Sequence, residues 1–194
     1  MKPQTLIATT ALIIVSTFGI LSTADAKPMK ELKKAKELKK LAAPAFKLRT
    51  LDGVLVRLDE IAYRGKEKSW AKKQPVLLDF FRTDCSPCIK ALPELIAINE
   101  QYTNQGLRVI VVALLEEENG KQKLSDFLQK NPLPFTVVVD SNEHYSKKYL
   151  GESIKLPSSF FVDKTGYIVK AKQGGGGSMR DYFKSELTSL QATP

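Results

Sequence analysis

The feature that most constrains this chain is a pair of cysteines, Cys85 and Cys88, placed where a strand gives way to a helix. The preceding run 76–81, Val-Leu-Leu-Asp-Phe-Phe, is typical of a buried strand. Pro87 fits an early helical position, where its missing N–H costs nothing. A helix N-terminus favours an anion, so the first cysteine is expected to ionise more readily than a free cysteine. The apolar residues that follow share one helical face at about 100° per residue; they are Ile89, Leu92, Leu95, Ile96 and Tyr102.

Two cysteines at this spacing leave several chemical interpretations. A zinc site normally takes four ligands, and the chain has no third cysteine and a single histidine, His144, so structural zinc is not expected. Covalent haem attachment would need a histidine after the second cysteine, where Ile89 stands. A structural disulfide usually closes a longer loop. A dithiol that opens and closes is therefore favoured, with no resident cofactor or metal, and a Cu(I) clamp on the two thiols is the alternative.

Residues 1–26 are typical of a secretory signal peptide. Lys2 provides a basic start, residues 6–21 are apolar, and Ala24-Asp25-Ala26 matches a cleavage site. Cleavage before Lys27 leaves 168 of the 194 residues, which suits one domain. An uncleaved anchor is the alternative, although the apolar segment is short for a span of ~20 residues. Export predicts a periplasmic or other extracytoplasmic location, where disulfides persist.

Positive charge is concentrated at the start of the mature chain. Residues 27–50 carry a net charge of +7, out of +9 for the whole sequence. The basic pI therefore describes a tail, and nucleic-acid binding is not expected. We expect residues 27–42 to form a basic linker or helix, and residues 27–41 to allow a weak contact with anionic membrane lipids.

Strand and helix patterns alternate through the rest of the chain, which predicts an α/β fold with a mostly parallel central sheet. Residues 59–75, which include Trp70, are expected to form a surface loop or short helix. The acidic run 116–118 is expected in a solvated loop or helix start, and Gly174–Gly177 in a flexible turn. The predicted strands cover 46–48, 54–56, 76–81, 109–114, 135–139, 159–162 and 167–169, and Ser178 is predicted to cap a last helix that buries Met179, Phe183, Leu187 and Leu190.

This order of elements resembles the exported TlpA/ResA-like thioredoxins from about residue 43 to residue 190. The resemblance is carried by Ala43-Pro44-Ala45-Phe46, by residues 78–88 around Cys-Ser-Pro-Cys, by a strand and helix at 108–131, and by residues 156–163 around Leu-Pro-Ser-Ser. It implies a thioredoxin-like domain over 43–194, in which helices flank a central mixed β-sheet. It also implies an N-terminal β-hairpin and an extra strand-helix insertion, which thioredoxin itself lacks.

The resemblance also implies roles for individual residues. Cys85 would be the nucleophile and Cys88 the resolving thiol. Pro157 would be a cis-proline packed against the disulfide, and Leu156 would offer its backbone to an extended substrate. Asp79 matches the buried acid that moves a proton to or from the second cysteine. Ser86 and Pro87 are expected to complete the substrate-binding surface.

Two positions depart from the family pattern. Asp84 stands directly before Cys85, where a tryptophan is usual, and Ala91 replaces a glutamate that many members carry. The aromatic residue at Phe81 is kept. A carboxylate beside the first sulfur would raise the pKa of that thiol, because like charges disfavour its ionisation.

These features predict an exported thiol:disulfide oxidoreductase that works mainly as a reductase. Its partners would be disulfide-bearing exported proteins and a thiol electron donor in the membrane. The resemblance gives cytochrome c maturation, or rescue of oxidised exported proteins, as the setting. A peroxidase is not favoured, since a peroxiredoxin-like site has Thr or Ser three residues before the reactive cysteine and Arg82 stands there.

Overall fold

The computed structural model describes residues 41–62, 73–115 and 119–191. The predicted signal peptide, the basic segment up to residue 40, Trp70 and the acidic run 116–118 lie outside these residues. The strands are β1 (Leu41–Ala42), β2 (Lys47–Arg49), β3 (Leu55–Arg57), β4 (Val76–Phe81), β5 (Arg108–Leu114), β6 (Thr136–Asp140), β7 (Ser158–Val162) and β8 (Tyr167–Gln173). The helices are α1 (Leu58–Ala62), α2 (Ser86–Tyr102), α3 (Gly120–Lys130), α4 (His144–Leu150), α5 (Met179–Tyr182) and α6 (Lys184–Gln191).

In the described part of the chain, the strands form one sheet in the order β1-β8-β7-β4-β5-β6-β2-β3. The central strands β4, β5 and β6 are parallel, whereas β7 runs antiparallel to β4 and to β8. The predicted mixed sheet, the N-terminal hairpin of β2 and β3, and the inserted pair of β5 and α3 are confirmed.

Strand β4 lies in the middle of the sheet, and all six of its residues are buried. A strand covered on both faces needs apolar residues at successive positions, which explains its nearly continuous apolar run. Leu78 and Phe80 belong to a core layer that includes residues of α1 and α4. Leu77 and Phe81 belong to the opposite layer, with Cys88 and residues of α2, α3, α5 and α6. Helix α2, which follows Cys85 and carries Cys88, therefore packs on the second face of the sheet.

Three details differ from the sequence-based expectations. Ile89, in the first turn of α2, is 36% exposed, while Leu92, Leu95 and Tyr102 are buried as expected. The segment 59–75, expected to form a surface loop or short helix, begins inside helix α1, and Ala62 in that helix is fully buried. The last helix is divided at Phe183 into α5 and α6.

The first strand among the described residues lies two residues before residue 43, where the sequence places the start of the domain. Leu41 and Ala42 form β1, which pairs with the edge of β8 at Ile168 and Tyr167. The pairing is extended by the N–H of Ala43, which donates to the carbonyl of Gly166 at 2.8 Å. In the described residues, no helix is long and apolar enough to cross a membrane.

Candidate active site

The two cysteines lie at the start of α2, directly after the central strand β4. Cys85 is the N-cap residue of the helix, with extended backbone angles, and its sulfur accepts a hydrogen bond from the backbone N–H of Cys88 at 3.3 Å. Unpaired N–H groups and the helix dipole at this end stabilise negative charge on a sulfur. The local geometry therefore favours a thiolate at Cys85 once the disulfide is reduced.

Cys85 and Cys88 form a disulfide, with their Cα atoms 5.2 Å apart. Cys85 is half-buried, whereas Cys88 is only 1% exposed. Another molecule can therefore reach the first sulfur but not the second. Ser86 and Pro87, between the cysteines, are exposed and form part of the surface next to the disulfide.

A cis peptide bond joins Leu156 to Pro157 immediately before β7, as the resemblance implies. Pro157 is buried and Leu156 is half-buried. A groove of about 300 Å³ brings Leu156 and Cys85 together on its walls. The remaining lining residues are Arg82, Asp84, Glu143, Glu152 and Ile154. The groove therefore lies beside the accessible sulfur.

The turn Gly174–Gly177 forms a second boundary of the site. A Cβ built on Gly175 would lie 2.9 Å from Cβ of Pro87 and 4.0 Å from Cδ of Pro157. The backbone N–H of Gly174 donates to the carbonyl of Pro157 at 2.8 Å. The turn thus rests on both prolines, and the contact at residue 175 leaves no space for a side chain.

Asp79 is 1% exposed, in the centre of β4. Asp79 lies two positions from Leu77 and two from Phe81, and side chains two positions apart in a strand share a face. Its side chain therefore points to the face of the sheet where Cys88 is packed. The hydroxyl of Ser159 donates to Asp79 Oδ1 at 2.6 Å. Burial raises the pKa of Asp79 to about 7, although the Ser159 hydrogen bond and the positive charge of Lys172 both lower it. A carboxyl group with this pKa can accept and release a proton near neutral pH.

Asp84 lies at the rim of the site and is paired with Arg82. The guanidinium donates from Nε to Oδ1 and from Nη2 to Oδ2, each at 3.0 Å. The side chains of Arg82 and Asp84 are 40% and 46% exposed. The sequence places a lone carboxylate beside Cys85, but the structure places a neutralised ion pair there.

Three further contributors to the site were not singled out from the sequence. Ser159 belongs to the Leu-Pro-Ser-Ser segment, and its position two residues after the cis-proline is the signal that could have found it. Gly175 is one of four consecutive glycines, and the pattern does not reveal which one touches the cysteine loop. In the sequence, Lys172 resembles any surface lysine, and no signal marks it.

No group of three or more His, Cys, Asp or Glu residues in the described ranges could hold a metal ion. The two cysteine sulfurs are the soft donors at this site, and they are joined to each other in the disulfide.

The fold and the site together define a thioredoxin-like protein with a thiol–disulfide site. The defining features are a mixed sheet, a Cys-x-x-Cys disulfide at a helix N-terminus and a cis-proline before the neighbouring strand. The chain belongs to the AhpC/TSA family, whose sequence profile matches residues 40–171.

Similar proteins carry names that agree with this class. The sporulation thiol-disulfide oxidoreductase A of Bacillus subtilis (strain 168) is 32% identical over 103 residues, which cover 53% of this chain and 61% of that protein. The thiol-disulfide oxidoreductase ResA of Geobacillus thermodenitrificans (strain NG80-2) is 29% identical over 150 residues, which cover 77% of this chain and 76% of that protein. The resemblance to ResA-like proteins is thereby confirmed, although the match to the Bacillus subtilis protein spans less than two thirds of its length.

Solved structures have the same fold. The crystal structure of StoA from Bacillus subtilis superposes with a TM-score of 0.58 at 25% identity, covering 75% of this chain and 97% of that chain. A thiol:disulfide interchange protein of the thioredoxin family from Chlorobium tepidum TLS gives a TM-score of 0.60 at 18% identity, covering 77% and 95%. The predicted thioredoxin-like fold is confirmed.

Proposed function

We propose that this chain is an exported thiol:disulfide oxidoreductase that works mainly as a reductase of disulfides in other proteins. The observation that carries the proposal is the asymmetry of the Cys85–Cys88 disulfide, with one sulfur accessible at a helix N-terminus and the other buried. Names of the relatives, which are thiol-disulfide oxidoreductases, support the same reaction class.

In the reductive direction, the Cys85 thiolate attacks one sulfur of a client disulfide. The client S–S bond breaks, a mixed disulfide forms, and the second client sulfur leaves as a thiolate that takes up a proton. Cys88 then loses its proton and attacks the Cys85 sulfur. The mixed disulfide breaks, the client leaves with both cysteines reduced, and the Cys85–Cys88 disulfide forms. Two electrons have then passed from the enzyme to the client.

Asp79 is the residue we propose as acceptor of the Cys88 proton. It is buried on the same face of the sheet as Cys88, and its pKa of about 7 lets it exist in either protonation state near neutral pH. In the reverse direction, the same carboxyl group would return the proton to Cys88 as the active-site disulfide is reduced.

The groove between Cys85 and Leu156 is the proposed binding site for the client chain. The backbone of Leu156, next to the cis-proline, would pair with an extended segment that carries the client cysteine. Pro87 and Ser86 are exposed beside the disulfide and would contact the same segment.

The signal-peptide pattern at residues 1–26 supports work outside the cytoplasm, on exported proteins. In an oxidising compartment, each turnover leaves the enzyme as a disulfide, so a thiol donor in the membrane must reduce it again. Cytochrome c maturation is the setting that the family resemblance favours. Contact of residues 27–41 with anionic lipid would keep the domain near that donor.

The test is a trapping experiment with Cys88→Ser. Without the resolving thiol, Cys85 should remain joined to client proteins as mixed disulfides that are visible on non-reducing gels and are lost after reduction. Cys85→Ser is the matched control and should trap nothing. Absence of trapped species, together with no disulfide reductase activity of the wild-type protein, would contradict the proposal.

A further inference from the structure

Three polar side chains lie side by side across three neighbouring strands. Asp79 of β4 pairs in register with Ser159 of β7, and Ser159 pairs in register with Lys172 of β8. Residues directly opposite each other in antiparallel strands have their side chains on the same face. The row therefore runs from the centre of the sheet toward its edge, on the face that also packs Cys88.

Lys172 is half-buried, and its amine is used by the glycine turn. Nζ donates to the carbonyl of Gly174 at 3.1 Å and to that of Gly176 at 2.8 Å. Gly175, between these two carbonyls, is the residue that rests on Pro87 and Pro157. One ammonium group thus fixes both sides of the contact between the turn and the cysteine loop.

Among the described residues, the surroundings of Asp79 contain little charge other than that of Lys172. The residues in register with Asp79 are both uncharged: Val111 on β5 and Ser159 on β7. Helix α2 contributes Cys88 and Leu92 to this layer. The charge that acts on Asp79 is that of Lys172. Lys170 lies on the same strand, but its amine is paired with Glu186 of α6 at 3.2 Å.

We infer that Lys172 is a positioning residue of the redox site, which holds the glycine turn against Pro87 and Pro157 and places a fixed positive charge at the end of the row that starts at Asp79. The part of this inference that concerns catalysis rests on the proposed role of Asp79 as acceptor of the Cys88 proton. The contacts themselves are independent of that role. Lys172 links the shape of the surface beside the disulfide to the charge state of the buried acid, because the same amine serves both.

The test measures the pKa of the Asp79 carboxyl group by carbon-13 NMR in the full-length oxidised protein, where no cysteine titrates. Lys172→Met should shift this pKa upward by about 0.5 to 1 unit, because the opposite charge that favours ionisation is gone. Lys172→Arg keeps the charge and should restore the wild-type value. Lys170→Met is the matched control, with the same loss of charge on the same strand, and should leave the pKa of Asp79 unchanged.

An unchanged pKa of Asp79 in Lys172→Met would overturn the inference, as would an equal shift in Lys170→Met or in Lys172→Arg. Should Lys172→Met not fold, the wild-type chain offers a second measurement. The nitrogen resonance of Lys172 Nζ should move as Asp79 titrates near pH 7, and this movement should be absent in Asp79→Asn. A resonance that does not follow Asp79 would equally overturn the inference. Neither measurement depends on activity, so their failure is distinguishable from failure of the oxidoreductase proposal.

Discussion

Two carboxyl groups near the disulfide are held in opposite environments. Asp79 is buried and accepts a hydrogen bond from Ser159, whereas Asp84 is 46% exposed and paired with Arg82. The first group can change its charge near neutral pH without contact with solvent. The second can influence Cys85 only as one half of an ion pair. The two acids should therefore respond differently to mutation.

Asp79 should make the stability of the oxidised protein fall as pH rises. Its pKa in the folded protein is about 7, above the ordinary value of 3.8, so between these values the folded state keeps a proton that the unfolded chain has lost. Asp79→Asn has no group to ionise at this position, so its stability should not fall in this way. At pH 8 its free energy of unfolding should exceed that of the wild type by up to about 4 kcal/mol, for a pKa shift of about three units. At pH 3 the two proteins should be close. Urea unfolding at both pH values is the measurement, and an equal difference at both would contradict the explanation.

Asp84→Asn should lower the pKa of the Cys85 thiol in the reduced protein. The substitution removes a negative charge near the sulfur and leaves the Arg82 cation unpaired, and both changes favour the thiolate. We expect a shift of about half a unit, because both side chains are substantially exposed and water screens their charges. The rate of thiol alkylation as a function of pH measures it.

Arg82→Gln is the matched variant for this ion pair. It leaves the Asp84 carboxylate alone and should raise the pKa of the Cys85 thiol. Because a less stable thiolate disfavours the reduced form, Arg82→Gln should also make the protein more reducing, and Asp84→Asn less reducing. Shifts of the same sign in the two variants would show that the pair does not act through its charge.

The turn between β8 and α5 is an element whose role depends on contact with the active site. It is held to Lys172, to the backbone of Pro157 and, through Gly175, to Pro87. The sequence indicates a flexible turn because four glycines follow one another. In the folded chain the turn is instead anchored on the cysteine loop, so its glycines serve close packing as well as backbone freedom.

Gly175→Ala should weaken both stability and activity, because the new Cβ would lie 2.9 Å from Cβ of Pro87. Overpacking of this kind costs about 1 to 3 kcal/mol, and the displaced turn would disturb the surface beside the disulfide. The control is Gly53→Ala in the β2–β3 hairpin, where φ is +89° and no atom lies within 4 Å. The control should lose some stability from backbone strain but keep its turnover with a protein disulfide. Unchanged turnover in Gly175→Ala would contradict the proposed contact.

The fold and the cysteine pair could be read from local patterns. The buried run of β4, the Cys-x-x-Cys pair and the Leu156–Pro157 segment each have a sequence signal that does not depend on distant residues. The pairing of β1 with β8, the burial of Leu58 and the ion pair at Asp84 could not be read in this way. Each depends on which distant segments the fold brings together, or on the direction in which a long side chain turns.

Lys172 is the clearest case of a residue that the sequence hides. Its contacts with Gly174 and Gly176 are close in sequence, but its relation to Asp79 crosses 93 positions and depends on strand order. A lysine two positions earlier, Lys170, has the same pattern and a different partner. Only the register of β4, β7 and β8 shows that Lys172, and not Lys170, lies in the same row as Asp79.

At the scale of the whole chain, the position of β1 at Leu41–Ala42 leads to a prediction about the basic segment before it. Deletion of residues 27–40 should leave turnover on a soluble disulfide unchanged, because every residue that we place in the redox site lies after them. Deletion of residues 27–42 also removes β1 and should lower stability, since the edge of β8 loses its partner strand. Steady-state rates and unfolding midpoints of both truncated proteins check this. A loss of activity in the shorter deletion would contradict the view of the tail as a spacer.

Within the residues that the structure describes, the outermost strands of the sheet are β1 and β3, which contain two and three residues. A short edge strand offers few free backbone groups to a neighbouring molecule, so β1 and β3 themselves give the sheet of another copy little on which to join. This property matters for a protein that we propose binds extended segments of other chains, because an extended segment can also add as a strand to an open sheet edge. The cysteine groove, and not the outermost strands of the sheet, is then the surface that we propose meets a client chain.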